Sequence, residues 1–445
     1  MHRLGPILAA AGLFAVAAQI ALGHLPPILL GPAVAIAAWG ALLAVWRSIE
    51  GAGARRAAMA ACIALTASLA NLRPTNNGDT ESIREQPWAV LRLGTLLVDR
   101  LPVSLREPDT YWSVKLAGGR RASKYPPGMA LLSAPLYLPA ALAAHPTSEV
   151  LAAFGKMAAA LLGAATVLLL GLALHAAGCS AACVLWTCLL YGLGSSALSL
   201  DSQELWQHTG ASFSLALCLW ALHAPNARAG AAVLLLGAAM LVLVRPPDGV
   251  MVLPLLWAAR ERRTLWGAGL LGLAAGAIAF ASYNAAVFGS PLTNGYLLTE
   301  RASGFTTHEW KEAAVGLLVS PAHGLLFFVP WAPFALVGWR AGPTARGAIL
   351  SAAALYALIC FWSGWWGANA YGPRMLAEAQ LPLAFAFGMG AAGLSRRSRA
   401  AVAGLGVAAV AIHAAFPFAL AFSPTYSPAG AWLWAANPLG HLLGW

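Results

Sequence analysis

Few residues in this 445-residue chain could do chemistry, and they cluster. Fifteen of its 43 charged residues fall between Arg73 and Gly128. That stretch opens with Asn76-Asn77-Gly78-Asp79-Thr80-Glu81 and closes with Ser123-Lys124-Tyr125-Pro126-Pro127-Gly128. Asp79 follows a turn signal, so its local reading is capping or turn-making. Glu81 and Glu85 read locally as surface charges. Lys124 stands where the polar stretch meets the next apolar run. A lysine there either snorkels or clamps a phosphate, because an ammonium at the mouth of a low-dielectric cavity favours an anion. Arg245-Pro246-Pro247-Asp248 offers a second base between two short apolar runs, either as a functional arginine or as half of an Arg245–Asp248 pair. The turn Asp201–His208 combines polar and aromatic groups in a way that suits a sugar, with an interfacial tryptophan belt as the simpler reading of Trp206. His208 suits acid/base work or plain hydrogen bonding. The tract Phe361–Arg374 interleaves aromatics, including Trp365, Trp366 and Tyr371, with glycines and ends in Gly372-Pro373-Arg374. Aromatic faces stack on sugars or prenyl chains, and Arg374 is suited to bidentate phosphate binding.

The elements that must position these residues are membrane helices. The chain is 60% hydrophobic and 10% charged, with a mean hydropathy of +0.70. Apolar runs of a length able to cross the hydrocarbon core recur from end to end, and in that layer they must be helical. The net charge of +11 is distributed as short basic clusters between these runs, at Arg47/Arg55/Arg56, Arg260/Arg262/Arg263, Arg340/Arg346 and Arg396/Arg397/Arg399. This is the positive-inside pattern and argues against nucleic-acid binding. It predicts spans near 6–23, 27–46, 57–72, 152–174, 181–199, 208–223, 229–244, 249–259, 264–283, 323–339, 347–362, 375–393 and 400–421. The first is read as a retained helix rather than a cleaved signal. Met129–Ala144, with Pro135 and Pro139, is read as a partial or re-entrant element. Trp88–Val98 is read as a helix lying on the membrane surface, with Pro87 at its first position. On this topology the loop 73–128 faces outward. So do most carboxylates outside it: Asp201, Glu204, Asp248, Glu300, Glu309, Glu312 and Glu378. The expected fold is a single all-α polytopic membrane domain over 1–445. It has about 12–14 transmembrane helices and a large first outer-face loop carrying surface helices.

Other chemistries lack their signatures. There is no phosphate-cradling Gly-rich loop ending in Lys-Ser/Thr, no dinucleotide fingerprint and no His-Glu-x-x-His. The six cysteines lie in apolar runs and read as small packing residues rather than metal ligands.

With these residues in place, the chain resembles the GT-C superfamily of multi-span glycosyltransferases that use polyprenyl-phosphate-linked sugars. That group includes protein O-mannosyltransferases and the lipid A aminoarabinose transferase. Gly78-Asp79-Thr80-Glu81 fits the aspartate of that group's first outer loop. Ser123-Lys124-Tyr125-Pro126-Pro127 resembles its Lys-Pro-Pro motif, departing from it by the intervening Tyr125 and by lacking an acidic residue before the lysine. Asn284–Tyr296, Ser320–Pro330 and Trp365–Pro382 also look like bacterial relatives. The resemblance implies an inverting transferase in a bacterial inner membrane, its active site facing the periplasm. Asp79 would be the catalytic base, and Lys124, Arg245 and Arg374 would bind the donor phosphate. Glu81, His208, Trp365, Trp366 and Tyr371 would contact substrate. The donor would be a polyprenyl-phosphate-linked sugar, and the acceptor a glycolipid, polysaccharide or protein hydroxyl. Such a donor requires no metal or other cofactor, although a divalent ion is compatible with it. Competing readings are a transporter or flippase of a lipid-linked saccharide and a surface-polysaccharide ligase or polymerase.

Overall fold

In the computed structural model, residues 4–71, 77–103, 110–299, 304–368, 370–419, 428–434 and 437 are described. Outside them lie Arg73–Asn76 at the head of the polar loop, part of its middle (104–109), Glu300, Asn369 and the ends of the predicted spans at 72 and 420–421. The fold is an all-α membrane protein. Among the described residues, five helices are long and apolar enough to cross a bilayer: Pro27–Val45, Ser148–Ala176, Ala227–Val244, Arg263–Phe288 and Arg396–Pro417. Each coincides with a predicted span. Shorter apolar helices, including Ala181–Leu193 and Pro343–Ile359, pack among them.

Close helix packing relies on small residues, because lipid tails give apolar helices no hydrophobic reason to associate. Gly272 and Gly276, four residues apart on helix Arg263–Phe288, face the backbone of helix Ala227–Val244. A Cβ on either glycine would lie 2.5 Å from a carbonyl oxygen, of Leu235 and Ala239 respectively. Gly171 on the long helix Ser148–Ala176 likewise presses against Ala57 of helix Ala52–Leu69.

Four expected spans are broken, 181–199 being α-helical only over Ala181–Leu193 before a π-turn at Ala197–Asp201. In 249–259, 3₁₀ backbone over Pro246–Met251 is followed by the seven-residue helix Val252–Ala258. In 323–339, the short helix Leu325–Phe328 gives way to 3₁₀ structure over Ala332–Arg340. In 375–393, continuous helix covers only Gln380–Gly390. At about 1.5 Å per residue none of these helices alone reaches ~30 Å. Pro246, Pro247, Pro330, Pro333 and Pro373 lie at or near the last three interruptions, as expected of residues that cannot donate to a helical ladder. Met129–Ala144 is also broken, into Gly128–Ser133, Ala134–Tyr137 and Ala140–Leu142.

The polar loop departs furthest from expectation. Instead of a surface helix beginning at Pro87, a helix runs Gly78–Leu93 with Pro87 inside it, and residues Thr80–Ala89 except Glu81 are buried. Asn77 fixes its start, accepting a hydrogen bond from the Asp79 amide at 3.0 Å. After it, an antiparallel hairpin pairs Ser113–Lys115 with Arg121–Ser123. Its turn needs Gly118 and Gly119, both at positive φ (75° and 78°). Lys124 N–H continues the ladder to the Trp112 carbonyl at 2.8 Å, which fixes where Lys124 and Tyr125 leave the hairpin.

Candidate active site

Asp79 lies in the first turn of helix Gly78–Leu93, where a carboxylate is favoured by the helix dipole. Capping falls to Asn77, so the Asp79 carboxylate is engaged elsewhere. The hydroxyls of Tyr111 and Tyr125 both donate to its Oδ1, at 2.7 and 2.6 Å. Arg374 Nη2 meets Oδ2 at 2.5 Å. Burial opposes ionisation of Asp79. The guanidinium of Arg374, the two tyrosine hydroxyls and Lys124 outweigh it, holding the carboxyl well below the usual carboxylate range.

The three sequence-selected bases arrive on separate elements. Lys124 leaves the hairpin with its ammonium 4.4 Å from the centre of the Tyr111 ring, 5.2 Å from Tyr125 and 5.5 Å from Tyr296, inside an aromatic cage. Arg245 ends helix Ala227–Val244 in extended conformation, as the residue before a proline prefers. Its Nη1 lies 2.9 Å from Asp248 Oδ1 and 3.0 Å from Glu378 Oε2, so two carboxylates face one guanidinium. Burial, opposed by Arg245 and reinforced by Glu378, pushes the Asp248 carboxyl up to about 8. Arg374 follows Gly372, whose φ of 66° turns the chain beside the Phe328 ring. Its guanidinium stacks 4.6 Å from the Trp206 ring centre and donates to the Gly367 carbonyl and His208 Nε2, each at 3.3 Å.

Asp79, Lys124, Arg245 and Arg374, separated by up to 295 residues, line one cavity of about 610 Å³. His208 and Trp366 line it too. Its wall is largely apolar, with Phe280, Tyr283 and Phe288 contributed by helix Arg263–Phe288. Ala368 lies on the wall with φ 51°, a backbone conformation costly for a residue with a Cβ.

Three sequence-selected residues do not line this cavity. Glu81 is two positions past Asp79, about 200° around the helix, and its carboxylate accepts from Trp112 Nε1 at 3.0 Å. Trp365 is fully buried, edge-on to Trp366 and packed over Gly316. Tyr371 packs against Phe328 and Phe416 and donates its hydroxyl to the Ile412 carbonyl. All three support the site's frame.

Other residues of the site carry little signal in the sequence. Tyr125 is the residue interrupting the Lys-Pro-Pro resemblance, and that departure was its signal. Glu378 stands four residues after Arg374, and the sequence marks it only as an outward-facing carboxylate. Tyr111 had no local signal. No protein-family model, curated protein or solved structure matches this chain.

Proposed function

We propose that the protein is an inverting membrane glycosyltransferase of GT-C type in a bacterial inner membrane. It would transfer a sugar from a polyprenyl-phosphate donor to an acceptor hydroxyl at the periplasmic face. The observation that carries this reading is the meeting of one carboxylate with three bases in a cavity whose remaining wall is mostly apolar. The apolar wall suits the first isoprene units of a donor, and the bases suit its phosphate. In the reaction, the acceptor oxygen attacks the anomeric carbon as Asp79 takes its proton. The bond from that carbon to the phosphate oxygen breaks, and the polyprenyl phosphate leaves as an anion stabilised by Lys124 and Arg374.

The tight Asp79–Arg374 pair makes Asp79 a weak base at rest. A donor phosphate engaging Arg374 would offset part of the positive field and raise the proton affinity of Asp79 when substrate is present. The base would thus strengthen on donor binding.

The test is transfer of radiolabelled sugar from polyprenyl-phosphate donors in membranes carrying the protein or its Asp79→Asn variant. Asn keeps the size of the side chain and can still accept from Tyr111 and Tyr125, but it cannot serve as the base. Activity should fall by about 10²–10⁴-fold, the usual contribution of general-base catalysis. Undiminished transfer by correctly inserted Asp79→Asn protein would overturn the assignment.

A further inference from the structure

His208 lines the cavity, but both of its ring nitrogens are already engaged by protein. Nδ1 lies 2.7 Å from Glu378 Oε1, and Nε2 lies 3.3 Å from Arg374 Nε. An arginine Nε–H can only donate, so Nε2 must be the acceptor and carry no proton. The proton of the neutral ring is then on Nδ1, donated to the Glu378 carboxylate. The other oxygen of Glu378 lies 3.0 Å from Arg245 Nη1. One fully buried carboxylate therefore reaches both guanidiniums that line the cavity, Arg245 directly and Arg374 through the imidazole. The opposite side of the Arg374 socket is closed by the Trp206 ring and the Gly367 carbonyl.

We propose that Glu378 and His208 are positioning residues. Glu378 locks His208 in the Nδ1-protonated form so that its bare Nε2 orients Arg374, and the same carboxylate orients Arg245, fixing the two guanidiniums as one unit. His208 is then neither a substrate ligand nor an acid/base in the transfer. The consequence for chemistry rests on the proposed role of these bases in holding the donor phosphate. The tautomer does not rest on it.

Two measurements test this. In ¹⁵N-histidine NMR of the full-length protein in lipid nanodiscs, the His208 signal is the one lost in His208→Gln. Wild-type protein should show it as Nδ1–H with Nε2 unprotonated; an Nε2–H tautomer or an imidazolium overturns the proposal. In the donor-transfer assay, His208→Gln should stay within about tenfold of wild type. A carboxamide can donate to Glu378 and accept from Arg374. His208→Leu and Glu378→Leu should lose on the order of 10²-fold, through a raised KM for donor together with a lowered kcat, as misplaced binding groups do. A His208→Gln variant as impaired as His208→Leu would mean that the imidazole itself does chemistry, and would refute the positioning role. If wild-type protein transfers no sugar, the glycosyltransferase reading fails, and the NMR result alone decides whether the Glu378–His208 arrangement exists. Should the leucine variants not fold, the NMR signature and His208→Gln still decide.

Discussion

Replacing Arg374 by lysine isolates what a planar guanidinium contributes at this site. Arg374 spreads over four partners: Asp79 Oδ2 at 2.5 Å, the Gly367 carbonyl and His208 Nε2 at 3.3 Å each, and the Trp206 face at 4.6 Å. A lysine ammonium can keep the Asp79 pair, but it cannot reach carbonyl, imidazole and carboxylate from one point. Two hydrogen bonds are lost, both at the long end of the range, so each is assigned about 1 kcal/mol and the resting protein should lose about 2 kcal/mol of stability. If Arg374 holds the donor phosphate as proposed, donor affinity should fall as well, since a bidentate grip on phosphate becomes single-point. A further 1.4–2.8 kcal/mol there corresponds to about 10–100-fold in KM for donor. Thermal unfolding in detergent and initial rates against donor concentration separate the two effects. If folded Arg374→Lys protein showed wild-type KM and kcat, Arg374 would be a structural partner of Asp79 and nothing more, and the phosphate assignment would fail.

Two other outcomes follow from the same geometry. Gly295 lies against the backbone of Lys124, where an added Cβ would fall 2.2 Å from the Lys124 Cα. Gly295→Ala should therefore push the Lys124 segment aside, costing about 1–3 kcal/mol in thermal unfolding and on the order of 10²-fold in transfer; unchanged kinetics would mean that the Lys124 position is not critical. Asp248 has a folded value of about 8, above the 3.8 of a free aspartate, so its protonated form stabilises the fold. That contribution is fully present below the unfolded value and is lost as pH rises through about 8. Ionising Asp248 also adds negative charge beside Arg245 and Glu378, so the KM for donor should rise above pH 8 while staying level between pH 6 and 7. A pH-independent KM from 6 to 9 would remove Asp248 from the account.

The long helices were legible because composition alone specifies them: an apolar run in lipid has no alternative to helix. Span counting failed at 249–259, 323–339 and 375–393, where hydropathy is high but helical continuity is not. Hydropathy windows register how apolar a segment is and ignore whether prolines can hold a helical ladder. The helix Gly78–Leu93 was hidden for the opposite reason. Glu81 and Glu85 read locally as surface charges, yet Thr80 and Ser82–Ala89 are buried, and the charges among them are met by distant partners. Arg84 lies 3.7 Å from Glu204, and Glu85 accepts from the Val103 amide at 2.9 Å. The helix is polar overall, and a polar helix is read as solvated until the segments that bury it are known.

The same contrast governs the candidate site. Lys124, Arg245 and Arg374 could be selected singly, because each base is conspicuous in an apolar chain. What each base faces depends on segments brought together only by folding, so Tyr111, Tyr125 and Glu378 could not be selected as their partners. Those partners alter the chemistry that the bases can do. Around the cavity, Lys124, Arg245 and Arg374 are set against Asp79, Asp248 and Glu378. Were all six ionised, the cluster would be neutral and would have little to offer an anion. With the Asp248 carboxyl pushed up to about 8, a proton is retained near neutral pH. Burial raises the Glu378 carboxyl as well, so the cluster leans positive near neutral pH and suits an anionic ligand.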